Sequence, residues 1–276
     1  MAPSAASKSP LPREHGAWAM LLQPFLGAWI VVHKFSWTIA PALASVVLVF
    51  LIREPLITLA RQKWTWRTTH PETPQARRYV AIELALLAAS GAALLLVWPW
   101  WILAILGVSA ATLTAIAVLV TIRNRQRAVW FQALSAAGLG SSALAACLAV
   151  SGSVPLWGWW FWALHAAHFL AAILVVHARL DARIAARKNI AAPSGRAAFW
   201  AQIAFAAAGL ALIATRHAWY GSAAIFSAAV HLFDLRTLST PQALAMPMKT
   251  VGVRAMSFSI AFTLLVVAGS LAGLIS

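Results

Sequence analysis

The chain has 276 residues, 62% hydrophobic and 10% charged, with a mean hydropathy of +0.81 and a formal net charge of +15. Soluble domains carry roughly a quarter charged residues, and disordered chains are poor in apolar ones, so both classes are excluded. Stretches of roughly 20 apolar residues, each enough to cross a bilayer as a helix, recur along it, and the expected fold is all-α, a polytopic transmembrane helical bundle.

Residues 1–12 hold one lysine and no apolar core, which reads as a disordered cytoplasmic tail and not a signal peptide. Residues 13–276 read as a single transmembrane helical domain. About nine spans are expected, at 16–33, 37–60, 78–97, 99–121, 128–150, 157–178, 197–214, 218–238 and 252–275. The separators alternate between short, nearly uncharged turns and longer basic ones. On this reading 19 of the 21 Lys and Arg fall on one side, leaving only Lys34 and Arg216 for the other. Because Lys and Arg accumulate on cytoplasmic loops, the N-terminus is expected inside and the C-terminus outside. Trp98, Trp100, Trp101, Trp157, Trp159, Trp160 and Trp219 gather at the uncharged turns, as an interfacial aromatic belt does. The basic excess is explained by topology and anionic headgroups, with membrane lipids and not nucleic acid as partners. The lone Cys147 lies in an apolar stretch and reads as a packing residue.

Several polar groups interrupt the spans. The opening segment, Pro12-Arg13-Glu14-His15-Gly16-Ala17-Trp18, brings three ionisable residues to the start of span one, with Gln23 and Pro24 a few turns in. Either it is a charged helix cap before a proline kink, or it folds into the mouth of a polar cavity. Arg53-Glu54-Pro55 lies about 25 Å along span two, within hydrocarbon, where adjacent charges usually face a bundle interior. His177 and Asp181 are four apart and His231 and Asp234 three apart, so each pair shares a helix face. They read as orienting dyads, as a two-His, two-carboxylate metal site, or as separate helix-end hydrogen bonds. His165 and His168 lie near mid-membrane, as buried hydrogen-bonding residues or as haem or proton-relay candidates. Glu54, His177, Asp181, His231 and Asp234 are therefore the candidate proton-handling set of a cytoplasm-facing cavity. Arg13, Glu14, His15, Arg53, Arg67, Arg123 and Arg125 are the candidate substrate-binding set.

The segment P-R-E-H-G-A-W-A-M-L-L-Q-P at 12–24 resembles the opening of the YwiC-like family of bacterial membrane proteins. Arg53-Glu54-Pro55 and Val251-Gly252-Val253-Arg254 look similar to later features of that family. The resemblance implies a bacterial membrane setting for the whole chain and names no reaction. A looser resemblance, in layout alone, is to the UbiA-type intramembrane prenyltransferases, which hold a prenyl diphosphate through Mg²⁺ on two aspartate-rich loops. The loop at 61–78 here has no Asp, and the segment 177–188 keeps only Asp181. Carboxylates are what hard Mg²⁺ requires, although arginines can cradle a diphosphate directly.

Three functions remain open on the sequence. One is a UbiA-like transferase acting on a lipidic, isoprenoid-type anionic substrate, with Arg53, Arg67, Arg123 and Arg125 on the anion and Glu54, Asp181 or His177 on protons. Another is a transporter with Glu54 and the histidines as proton relay. The third is an accessory subunit of a membrane respiratory complex, where haem enters. The sequence names no metal or cofactor.

Overall fold

The computed structural model describes residues 15–191, 194–238 and 240–275. These residues form helices and their connections, with no strand among them. The helices α1 (His15–Val32), α2 (Ile39–Leu51) and α3 (Arg53–Arg61) come first, followed by a π-helical stretch, Gln62–Trp66. Next are α4 (Thr73–Leu95), α5 (Trp100–Ile122), α6 (Val129–Gly140), α7 (Ser142–Ser151) and α8 (Leu156–Lys188). The last are α9 (Arg196–Ala214), α10 (Ala218–Thr237), α11 (Pro241–Ala245) and α12 (Met248–Ile275).

Each expected span coincides with a helix or a pair of nearly continuous helices among the described residues. Seven segments are long and apolar enough to cross a membrane: Ile39–Trp66, Thr73–Leu95, Trp100–Ile122, Val129–Ser151, Leu156–Lys188, Arg196–Ala214 and Lys249–Gly273. The two expected spans outside that set are α1, apolar but short over Gly16–Val32, and α10. In α10 the apolar run is diluted by Ser222, Ser227, His231, Asp234 and Arg236.

The described residues divide into two compact units, one of 35–131 and one joining 16–34 to 132 onward. In the first, α2 breaks at Ile52 because Pro55 has no N–H to give the Leu51 carbonyl. The helix resumes as α3 and ends at Arg67, whose φ of +55° stops helical propagation. Ile57 and Ala60 of α3 bury against Val118 of α5. Most of α4 and α5 stays exposed, with Leu84, Leu86, Ile105 and Val108 facing outward. Such apolar exposure suits helices that lipid, not protein, surrounds.

In the second unit, α1 buries Leu21, Phe25, Ala28 and Val31, a stripe at helical spacing. Ser142 Oγ donates to the Leu21 carbonyl at 2.6 Å, and Ser259 Oγ to Gln23 Oε1 at 2.6 Å. These bonds tie α1 to α7 and α12. The hairpin of α9 and α10 closes on facing glycines: a Cβ on Gly209 would stand 2.9 Å from the Gly221 carbonyl oxygen. Small residues let membrane helices approach this closely, where dispersion and not the hydrophobic effect holds them. Trp100, Trp101, Trp159, Trp160 and Trp219 are exposed, whereas Trp98 is buried.

Candidate functional site

The second unit buries a polar line along α8, α10 and α12. On α10 its members are Tyr220, Ser227, His231 and Asp234, spaced to share one face. From Tyr220 to Asp234 the line runs about 21 Å at 1.5 Å per residue. Tyr220 Oη is hydrogen-bonded to Ser270 Oγ of α12 at 2.9 Å. Further along, Ser227 Oγ is hydrogen-bonded to His168 Nδ1 of α8 at 2.7 Å. The His168 ring stacks on Phe262, with centroids 4.1 Å apart, and stands 5.7 Å from His231.

His165, one turn before His168, is fully buried. Its Nδ1 donates to the Phe161 carbonyl at 2.8 Å, and its Nε2 lies 3.1 Å from Thr263 Oγ1. Thr263 Oγ1 also lies 2.9 Å from the Ser259 carbonyl oxygen. A hydroxyl has one proton to give. With a neutral His165 ring, Thr263 donates to Nε2. With a protonated ring, Nε2 donates to Thr263, which then gives its proton to the Ser259 carbonyl. Thr263 thus partners Nε2 in either state, giving up its bond to the Ser259 carbonyl when the ring is neutral.

Beyond the histidines the line opens into a narrow cavity of about 30 Å³ between α8, α10 and α12. Its polar walls are Arg179, His231, Asp234 and Arg254, and its apolar walls include Val175, Val251 and Met246. Arg254 Nη2 meets Asp234 Oδ1 at 2.8 Å. Arg179, 3% exposed, donates from Nη1 to the Ala243 carbonyl at 2.9 Å, so it also pins α11 over the cavity. His231 is 4% exposed, and neither of its ring nitrogens meets a hydrogen-bond partner among the described residues.

The structure thus brings two of the five expected proton-handling residues, His231 and Asp234, to one cavity. His177 goes elsewhere: its Nε2 lies 2.9 Å from Gln132 Nε2 of α6. Neither it nor Asp181 lines the cavity. Glu54 lies in the first unit, where its carboxylate accepts from Arg53 Nη2 at 2.8 Å. Arg67, Arg123 and Arg125 are exposed in that unit's connections. Arg13, Glu14 and the side chain of His15 lie outside the described residues. No group of three or more His, Cys, Asp or Glu among the described residues is arranged to hold a metal ion. This removes the two-His, two-carboxylate site as drawn from the His177/Asp181 and His231/Asp234 spacings, because α8 turns His177 toward Gln132. Nor do the carboxylates present fit the Mg²⁺ that the UbiA-type resemblance implies.

Sequence spacing did not single out Arg179, Gln132, Ser227 or Thr263. The available signal was the polar stripe on α10, since the polar face of an otherwise apolar membrane helix points inward.

Residues 11–147 match the family described as YwiC-like protein. The matched segment ends within α7, so the cavity residues and the Val251–Arg254 stretch lie beyond it. No curated protein and no solved structure matches the chain. With that match and seven helices long and apolar enough to cross a bilayer, the chain is a membrane protein and over residues 11–147 belongs to the YwiC-like family.

Proposed function

We propose that this protein is a nine-span transporter of the bacterial inner membrane, N-terminus inside, in which buried histidines of the second unit carry protons. The observation that carries this reading is the His231–His168 pair, rings 5.7 Å apart, placed directly behind the arginine-lined cavity. An ionisable side chain within a membrane is costly and marks an ion or proton path by default. Imidazole suits the role because it takes a proton on one nitrogen and releases it from the other, at accessible pH. A proton arriving through the cavity binds His231, passes to His168, whose ring stacks 5.7 Å away, and has Ser227 as its next oxygen. His165 offers a further proton-holding ring through its switchable bond with Thr263.

The UbiA-like transferase reading has less support. The cavity wall offers one carboxylate, Asp234, where a prenyl diphosphate held through Mg²⁺ needs several. The haem-bearing accessory-subunit reading rests on His165 and His168, whose rings already engage Phe161, Thr263 and Ser227.

The test is proton flux into proteoliposomes holding a trapped pH dye, driven by a potassium-diffusion potential. Wild-type protein should acidify the lumen, and His231→Phe and His168→Phe should each reduce flux at least about tenfold, in the range by which removing one proton-transfer group slows a step. Flux equal to that of empty liposomes ends the proposal.

A further inference from the structure

The charges around the α8–α10–α12 cavity do not balance. Asp234 is the carboxylate on its wall, and it faces Arg179 and Arg254. Arg183, one turn beyond Arg179 and within electrostatic reach of it, adds a third guanidinium and donates to the Met246 carbonyl at 2.9 Å. Asp181 lies between these two arginines in sequence but is not part of the cavity wall. On the wall itself two positive charges meet one negative charge, with Arg183 a further cation close by, and Arg179 is all but sealed from solvent. An unbalanced charge taken out of water is expensive unless a counter-charge accompanies it. His231 contributes a second observation of a different kind. It is 96% buried by its 4% exposure, lines the same cavity, and neither ring nitrogen has a partner among the described residues. Buried polar groups in native proteins are almost always bonded, so an orphaned ring facing a cavity marks the place of a missing ligand.

We infer that this cavity is an oxyanion site, taking one carboxylate- or phosphate-type group between the Arg179 and Arg254 guanidiniums with an N–H of His231 as third donor. Guanidinium forks match the paired oxygens of such groups, and charge-assisted bonds of this kind are about twice as strong as neutral ones. The cavity volume admits a single small group and no more. The oxyanion comes either from a soluble anion or from the phosphodiester of an anionic phospholipid. The second source has a neighbouring groove to lie in, lined by Arg183, Arg187, Leu244 and Ala245, which combines positive charge with apolar wall. The site stands whether or not the histidines carry protons, because its claim is equilibrium binding and not flux.

The experiment uses the full chain, delipidated in detergent and, in parallel, in nanodiscs. In detergent, inorganic phosphate is titrated while thermal unfolding is followed. In nanodiscs of mixed phosphatidylglycerol and phosphatidylcholine, native mass spectrometry counts the lipids retained. Arg254→Lys keeps a cation beside Asp234 but removes the fork, and should weaken binding about tenfold. His231→Phe keeps the ring and removes the donor, and serves if the lysine variant does not fold. Arg78→Gln, exposed on α4 of the first unit, should bind like the wild type. Saturable phosphate binding lost in either variant establishes a soluble oxyanion site. Preferential retention of phosphatidylglycerol lost in either variant establishes a headgroup site. Binding of neither probe by the wild type, or wild-type binding in both variants, overturns the inference and leaves a cavity that holds water only.

Discussion

Arg254 of α12 and Asp234 of α10 form an ion pair at 2.8 Å, with side chains 33% and 16% exposed. The pair bridges two helices and at the same time forms a wall of the cavity. Half-buried pairs of this kind stand between the weak surface case and the fully buried case, in which removing one partner strands the other.

Asp234→Asn should therefore destabilise the protein by about 1–3 kcal/mol, because it leaves Arg179 and Arg254 facing each other without a carboxylate. The double variant Asp234→Asn/Arg254→Gln should be more stable than Asp234→Asn alone. A double-mutant cycle on reversible unfolding in detergent measures this. Additive losses would show that the two side chains are not coupled.

Gly221 gives a second prediction. A Cβ there would meet the Gly209 carbonyl oxygen and the Ile213 side chain, and backbone cannot swing aside as a flexible side chain can. Gly221→Ala should cost about 1–3 kcal/mol by forcing α9 and α10 apart. Gly107→Ala, where a Cβ on α5 would meet nothing within 4 Å, should be neutral. Melting temperatures of the two variants side by side decide it.

The helices themselves were legible because each apolar run has the length a bilayer demands; the break at Ile52 within the span expected at 37–60 was not foreseen, although Pro55 carried its signal. Lateral pairing was not. His177 and Asp181 share a helix face by spacing, yet His177 meets Gln132, 45 positions earlier in the chain. Asp234 likewise pairs with Arg254 and not with a residue on its own helix. Helices apolar around nearly their whole circumference, such as α5, carry no amphipathic stripe from which to read which face turns inward. On α10 the residues Ser227, His231 and Asp234 mark the inward side, and on α12 Ser259, Thr263 and Ser270 do.

Thr263 and His165 supply a third prediction. Thr263→Val preserves shape and removes the hydroxyl that serves both His165 Nε2 and the Ser259 carbonyl. A buried nitrogen left without a partner costs about 1–3 kcal/mol, so unfolding should shift by that amount. His165→Phe in the same background should recover part of the loss, because the ring stays packed against Phe262 while the stranded polar atom disappears. Failure of that recovery would place the cost in packing and not in the lost hydrogen bond.

The last prediction concerns how the chain threads the membrane. Lys and Arg are retained on the cytoplasmic side during insertion, and 19 of the 21 lie in segments that nine alternating spans assign to one side. Nine spans require α1 and α10 to cross although α1 is short and α10 is diluted by polar residues. Each has a reason to do so within the second unit. The Leu21 carbonyl and Gln23 of α1 accept from Ser142 and Ser259, and α10 directs Tyr220, Ser227 and His231 toward α8 and α12. Polar groups satisfied inside the protein do not have to be paid for in lipid. Reporter fusions after Lys34, Trp101, Ser153 and His217 should accordingly report the outside, and fusions after Arg67, Arg125, Lys188 and Pro241 the inside. If α10 did not cross, the fusions at His217 and Pro241 would report the same side while all earlier sites kept their pattern. If α1 did not cross, Lys34 would report inside and every later site would reverse.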